Sequence, residues 1–233
     1  MKANKKKVPG TVVAVVGVVA AVIAAVALFW GMKSLNSFNA QGYVSGILDQ
    51  NFKGDVSQIS EIVDGQSEKE LLKQYEDGVK AFLENRLMYG VELDEETEQK
   101  YIALCKEIFK SMKYEVKEAE KVDDDKYQVP VVYQASDVFE KLDVLVEEEF
   151  ARIYEKADQG EYSDENGEIN QQMQQEFLEN VYELLKQAHE NAKYGEKETM
   201  VIVVEKNKDG LYTLGTQLNE FILKITREDV KED

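Results

Sequence analysis

Between Lys7 and Lys33 the chain carries 25 consecutive residues without a charge, dominated by Val, Ala, Ile, Leu, Phe and Trp. A helix rises 1.5 Å per residue, so about 20 such residues cross a hydrocarbon core of about 30 Å. In lipid every backbone polar group must pair internally, and a helix does so. Phe29 and Trp30 fall at the far end of the run, where aromatic rings suit the interface. Lys2, Lys5, Lys6 and Lys7 precede it and favour a cytoplasmic N-terminus. A cleaved signal peptide has a shorter apolar region and small residues at −3 and −1, whereas cutting after Ala40 would put Phe38 at −3. The expected organisation is a basic cytoplasmic tail (1–7), a transmembrane helix (8–32), a connector (33–38) and an extracytoplasmic domain (39–233).

Charge narrows the partners. The whole chain has a net charge of −18, and beyond Lys7 there are 24 basic residues against 46 acidic ones. Such a surface repels phosphate, so nucleic acid is not an expected partner. One cysteine, Cys105, and one histidine, His189, leave little room for disulfide, thiol or imidazole chemistry.

Periodicity gives the domain's order. Tyr43, Val44, Ile47 and Leu48 predict a helix stopping near Gly54, and Ile59, Ile62 and Val63 a short second one. Ser67 and Glu70 form a capping-box pattern ahead of a stripe of Leu71, Leu72, Tyr75, Val79, Phe82 and Leu83. A helix opening near Asp94 carries Tyr101, Ile102, Cys105, Ile108, Phe109 and Met112. The period then changes to two. Tyr114 and Val116, the acidic turn Asp123-Asp124-Asp125, and Tyr127, Val129, Val131 and Tyr133 predict a β-hairpin. Pro130 lacks a donor and argues for an edge strand or a bulge. Ser136 suits the N-cap of a helix carrying Phe139, Leu142, Val146, Phe150 and Ile153, and Met173, Phe177, Val181, Leu184 and Leu185 mark the next helix. Met200 to Val204 is a continuous apolar run, as in a strand covered on both faces, and Asp209-Gly210 predicts its turn. Leu218, Phe221, Ile222 and Ile225 suggest a closing helix. Helices, hairpin, two helices, hairpin, helix make an α+β domain on a small antiparallel sheet.

Two segments, FNAQGYVSGILDQNFKGD (Phe38 to Asp55) and YEVKEAEKVDDDKYQVPVVYQASDVF (Tyr114 to Phe139), resemble an uncharacterised family of membrane-anchored, lipoprotein-type ectodomains of Gram-positive bacteria. The resemblance implies a cystatin-like or NTF2-like α+β fold on the outer face of the cell membrane. It carries over no catalytic residue. The family's acylated cysteine is missing here, which leaves the apolar helix as the anchor.

Site chemistry is sparse. The loop from Tyr162 to Met173 has Asp164, Asn166 and Gly167 at calcium-hand spacing, but Tyr162 and Met173 stand where the first and last carboxylates belong. Glu147, Glu148 and Glu149 read as a surface run. Cys105 lies on an apolar stripe, and His189 near a helix end reads as a surface imidazole. No Walker A, dinucleotide-glycine or nucleophile-elbow pattern occurs. The expectation is no metal and no cofactor. Tyr114, Tyr127 and Tyr133 should share one sheet face, where they either wall a pocket or fill the helix–sheet core. The functional expectation is a membrane-held binding or interaction module without catalysis. The alternatives are an NTF2-like enzyme using a carboxylate base with a tyrosine, and a subunit of a cell-envelope complex.

Overall fold

The computed structural model describes residues 38–63, 65–87, 93–163 and 171–228. The expected transmembrane helix at 8–32 lies outside them, as does most of the calcium-hand-like loop. Among the described residues no helix is long and apolar enough to cross a membrane.

The architecture is mixed α+β. Four helices come first: α1 (Ala40–Lys53), α2 (Ser57–Ile62), α3 (Glu68–Arg86) and α4 (Glu95–Lys110). Strands β1 (Lys113–Val116), β2 (Glu120–Asp123) and β3 (Lys126–Ser136) follow, then helices α5 (Val138–Asp158) and α6 (Gln171–Glu190). Strands β4 (Tyr194–Lys206) and β5 (Tyr212–Thr213) and helix α7 (Gln217–Thr226) close the chain. All pairing is antiparallel, in the order β1-β3-β4-β5, with β2 continuing β1's edge along β3.

Local chemistry sets the helix ends. Asn39 accepts from Gly42 N at 2.9 Å and opens α1. Gly54 closes it with φ 65, and a Cβ there would strike the Tyr75 ring at 2.6 Å. The capping box is present: Ser67 N donates to Glu70 Oε2 at 2.8 Å, and Glu70 N to Ser67 Oγ at 3.3 Å. Asp94 caps α4 through Thr97 N. Ser136 is not the cap of α5. It ends β3, and its hydroxyl is buried without a partner.

The central pairing joins β3 to β4 from Lys126↔Glu205 to Ser136↔Tyr194, across the inserted α5–α6 hairpin. Pro130 therefore sits in an interior strand, not at an edge. In an antiparallel ladder a residue's N and O point to the same neighbour. Pro130 O accepts from Lys117 N at 2.8 Å, so its missing donor faces the break between β1 and β2, where nothing is asked of it. Nor is β4 covered twice. Ile202 and Val204 are fully buried while Val201 is 41% exposed, because α1 and α7 cover one face only.

The core lies between those helices and that face. Phe221 of α7 meets the rings of Phe52, Tyr114 and Tyr133, and Phe82, Phe109 and Phe139 form a second aromatic group behind α1. Leu72, expected in the α3 stripe, is 42% exposed, leaving Leu71, Val79, Phe82 and Leu83 as the buried face.

Candidate functional site

The three tyrosines do share the covered sheet face, but the structure does not bring all three together. Tyr114 and Tyr133 are register partners. Tyr127 lies six residues down β3, about 20 Å away. There it joins Phe38, Tyr43 and Tyr212 in a separate aromatic group.

Tyr114 donates its hydroxyl to Asp49 Oδ1 at 2.7 Å, and Lys53 closes on the same oxygen at 2.6 Å with its ammonium 4.7 Å from the Tyr114 ring centre. Burial, then the hydrogen bond and charge of Asp49, push the phenol well above its usual range, so it stays protonated at neutral pH. Tyr133 is 4% exposed, and its hydroxyl donates to Glu198 Oε2 at 3.2 Å. A cavity of about 20 Å³ beyond α1, lined by Gln50, Asn51, Gln74 and Tyr75, has room for about one water.

A larger groove lies elsewhere, at the opposite end of β3 from Tyr127. Its volume is about 510 Å³, within the range of small-molecule sites. The start of α5 supplies Asp137, Glu140, Lys141 and Val144, the end of α6 supplies Ala188 and Asn191, and Arg227 follows α7. Val144 is 56% exposed and, with Ala188 and Leu145, gives an apolar floor. Asp137 accepts from Lys193 N at 2.7 Å and from Lys141 Nζ at 3.0 Å. Lys141 also donates to Asn191 O at 2.6 Å, tying the two helix ends together. Arg227 caps α7 in the left-handed region at φ 55. Its Nη1 donates to Glu140 at 3.3 Å, and its Nη2 lies 3.0 Å from where a Cβ of Gly195 would stand. The groove thus presents both charges over an apolar base.

Two further polar clusters escaped the sequence. Arg86 joins Asp143 of α5 and, at 2.9 Å, Glu228 beyond α7. Burial disfavours the guanidinium charge, but the two carboxylates outweigh it and hold Arg86 protonated. Burial raises the Glu228 carboxyl against the pull of Arg86, and Glu228 lines neither cavity. The second cluster overturns the surface reading of Glu149, which is 9% exposed. It accepts from Arg152 at 2.7 and 2.8 Å and from Asn180 at 2.8 Å. Glu176 accepts from Arg152, Lys156 and Tyr162, and these bonds, Lys156 first, hold its carboxyl down at about 2. The spacing Glu149-x-x-Arg152-x-x-x-Lys156 was the available signal.

Cys105 is buried, and burial pushes its thiol up to about 12. His189 is half-buried rather than on the surface, with Nδ1 shut off and unpaired. Among the described residues no three His, Cys, Asp or Glu side chains gather as a metal would require.

No protein family and no curated protein matches the chain. Among solved structures, the crystal structure of a putative lipoprotein (ycdA) from Bacillus subtilis subsp. subtilis str. 168 is similar, at 12% identity and a TM-score of 0.48. The match takes in 81% of this chain and 56% of the length of that one.

Proposed function

We propose that this protein is a non-catalytic binding module, held outside the cell by a single-pass N-terminal helix at 8–32 with its N-terminus cytoplasmic. Its ligand seat is the groove between α5, α6 and the end of α7, and its ligand is a small molecule bearing both charges, such as an amino acid or short peptide. A cystatin-like or NTF2-like relationship is part of the proposal, supported by helices packed on one face of an antiparallel sheet. The groove carries the reading. The Arg227–Glu140 pair at its rim is exposed, 34% and 59% at the two side chains, and worth under about 1 kcal/mol. A ligand carboxylate can therefore replace Glu140 on Arg227 at little cost, while the released Glu140 faces its ammonium group and Val144 its apolar part.

The enzymatic alternative would use Asp49 and Tyr114, the carboxylate–tyrosine pair on α1 and β1. It is the weaker reading because the Tyr114 proton is already held by Asp49 Oδ1, and Lys53 offsets the carboxylate's charge on that same oxygen.

Titration of the isotope-labelled soluble domain, residues 38–228, with mixtures of amino acids and dipeptides tests the proposal. Amide shifts should gather at Lys141, Val144, Ala188 and Arg227, and Arg227→Ala should weaken binding at least tenfold. Shifts gathering at Asp49 and Tyr114 would favour the enzyme, and no response to any zwitterion would overturn the ligand class.

A further inference from the structure

We infer that the domain stands on the membrane by the turn end of its sheet, with the groove directed away from the bilayer. The inference rests on the anchored reading above. It begins at Phe38, whose ring stacks on Tyr212 with centroids 3.7 Å apart and planes 2° from parallel. Tyr127 meets it edge-on at 5.4 Å and Tyr43 at 5.5 Å. Tyr43 donates its hydroxyl to Tyr212 O at 3.0 Å, and Asn39 caps α1 at the next residue. Four rings and a helix cap therefore fix the point where the chain joins the domain and the direction it takes.

That point is at one end of the sheet. Tyr127 is the second residue of β3, just after the Asp124-Asp125 turn, and Tyr212 follows the Asp209-Gly210 turn. Lys206 ties the two turns through Asp125, with its backbone N at 3.0 Å and its ammonium at 3.1 Å. From the last residue of the apolar run, Met32, to Phe38 is six steps, so whatever path residues 33–37 take, the gap spans at most about 20 Å. The turns are therefore confined close to the lipid surface. The groove residues Asp137 and Lys141 lie beyond the other end of β3, an 11-residue strand about 30 Å long. Lys121, Lys126 and Lys206 at this end are each paired with a carboxylate, of Asp124, Glu205 and Asp125, so the short tether and the ring cluster, not charge, place this end at the lipid.

The test places a fluorescent donor at Asp124→Cys or Val144→Cys in the full chain, reconstituted in phosphatidylcholine vesicles carrying a lipid acceptor dye. Cys105 is buried with its thiol held protonated and does not label. Vesicle flotation is measured first, energy transfer second. We expect both variants to float, with transfer from position 124 at least twice that from position 144. Phe38→Ala should float as well but lose more than half of that difference. Failure to float overturns the anchored reading and the orientation with it. Flotation with equal transfer, or with greater transfer from position 144, overturns the orientation alone. A difference unchanged in Phe38→Ala would overturn the role of the aromatic clamp.

Discussion

The two ends of β3 are built from different forces. At its start, Phe38, Tyr43, Tyr127 and Tyr212 cohere through ring contacts and one phenol–carbonyl hydrogen bond. Past its end, Asp137, Lys141, Glu140 and Arg227 meet through ion pairs around an open groove, the Arg227–Glu140 pair the more exposed. Ring packing is cooperative and tolerates little exchange of partners. Exposed ion pairs are weak and can be traded for a ligand's charges at small cost. One strand thus joins a fixed attachment to an adaptable surface.

The sharpest way to break the contrast is Tyr212→Ala. It removes an 8% exposed ring from under Phe38 and should cost about 3 kcal/mol in denaturant unfolding, with the groove's binding unchanged once folded. A loss below 1 kcal/mol would show that the aromatic end is not cohesive. Next comes Arg86→Ala near the groove end. Asp143 and Glu228 would be left without their shared cation, for an expected loss of about 2–3 kcal/mol. If that region is as loosely held as the groove rim, the loss will fall under 1 kcal/mol instead. Tyr114→Phe should cost about 1 kcal/mol by calorimetry, the worth of its bond to Asp49, and leave binding intact. Lost function at unchanged stability would move the chemistry to that hydroxyl.

The smallest effect concerns pH. Glu176 in the α5–α6 hairpin has its carboxyl lowered from 4.5 to about 2. A lowered carboxyl contributes stability above its unfolded value, and the contribution is lost as pH falls from about 4.5 toward 2. Solvent screening keeps this under about 1 kcal/mol. Glu228 has the opposite sign: its raised carboxyl favours the fold below 4.5 and loses that advantage as pH rises. Amide protection factors, taken against intrinsic exchange at each pH, should therefore fall in α5 and α6 between pH 4.5 and 2 before they do around α7. The reverse order would contradict the assignment of the two carboxyls.

What was legible in the sequence was local. The capping box, the stop at Gly54 and the acidic turn before Lys126 are each set by residues a few positions apart, and the common face of Tyr114, Tyr127 and Tyr133 by the period of two within each strand. What was not legible depends on distant segments. The β3–β4 pairing spans the whole α5–α6 insertion, so nothing near Met200 announces that one of its faces stays open. Pro130 is tolerated inside the sheet only because the neighbouring edge breaks at residues 117–119. The groove draws on the start of α5, the end of α6 and Arg227, none of which carries a motif. Glu149 stood among three consecutive glutamates, and its pairing with Arg152 one turn on and with Asn180 across the hairpin distinguishes it from its neighbours.

Hydrogen exchange on the full chain in phosphatidylcholine vesicles, compared with the soluble domain and with either form holding a bound zwitterion, addresses both ends at once. Vesicles should protect the amides of residues 121–127 and 205–213 and leave the groove unchanged. The ligand should protect residues 137–145 and 187–191 and leave the turns unchanged. Vesicle protection centred on the groove, or ligand protection centred on Asp49 and Tyr114, would contradict the division of labour between the two ends.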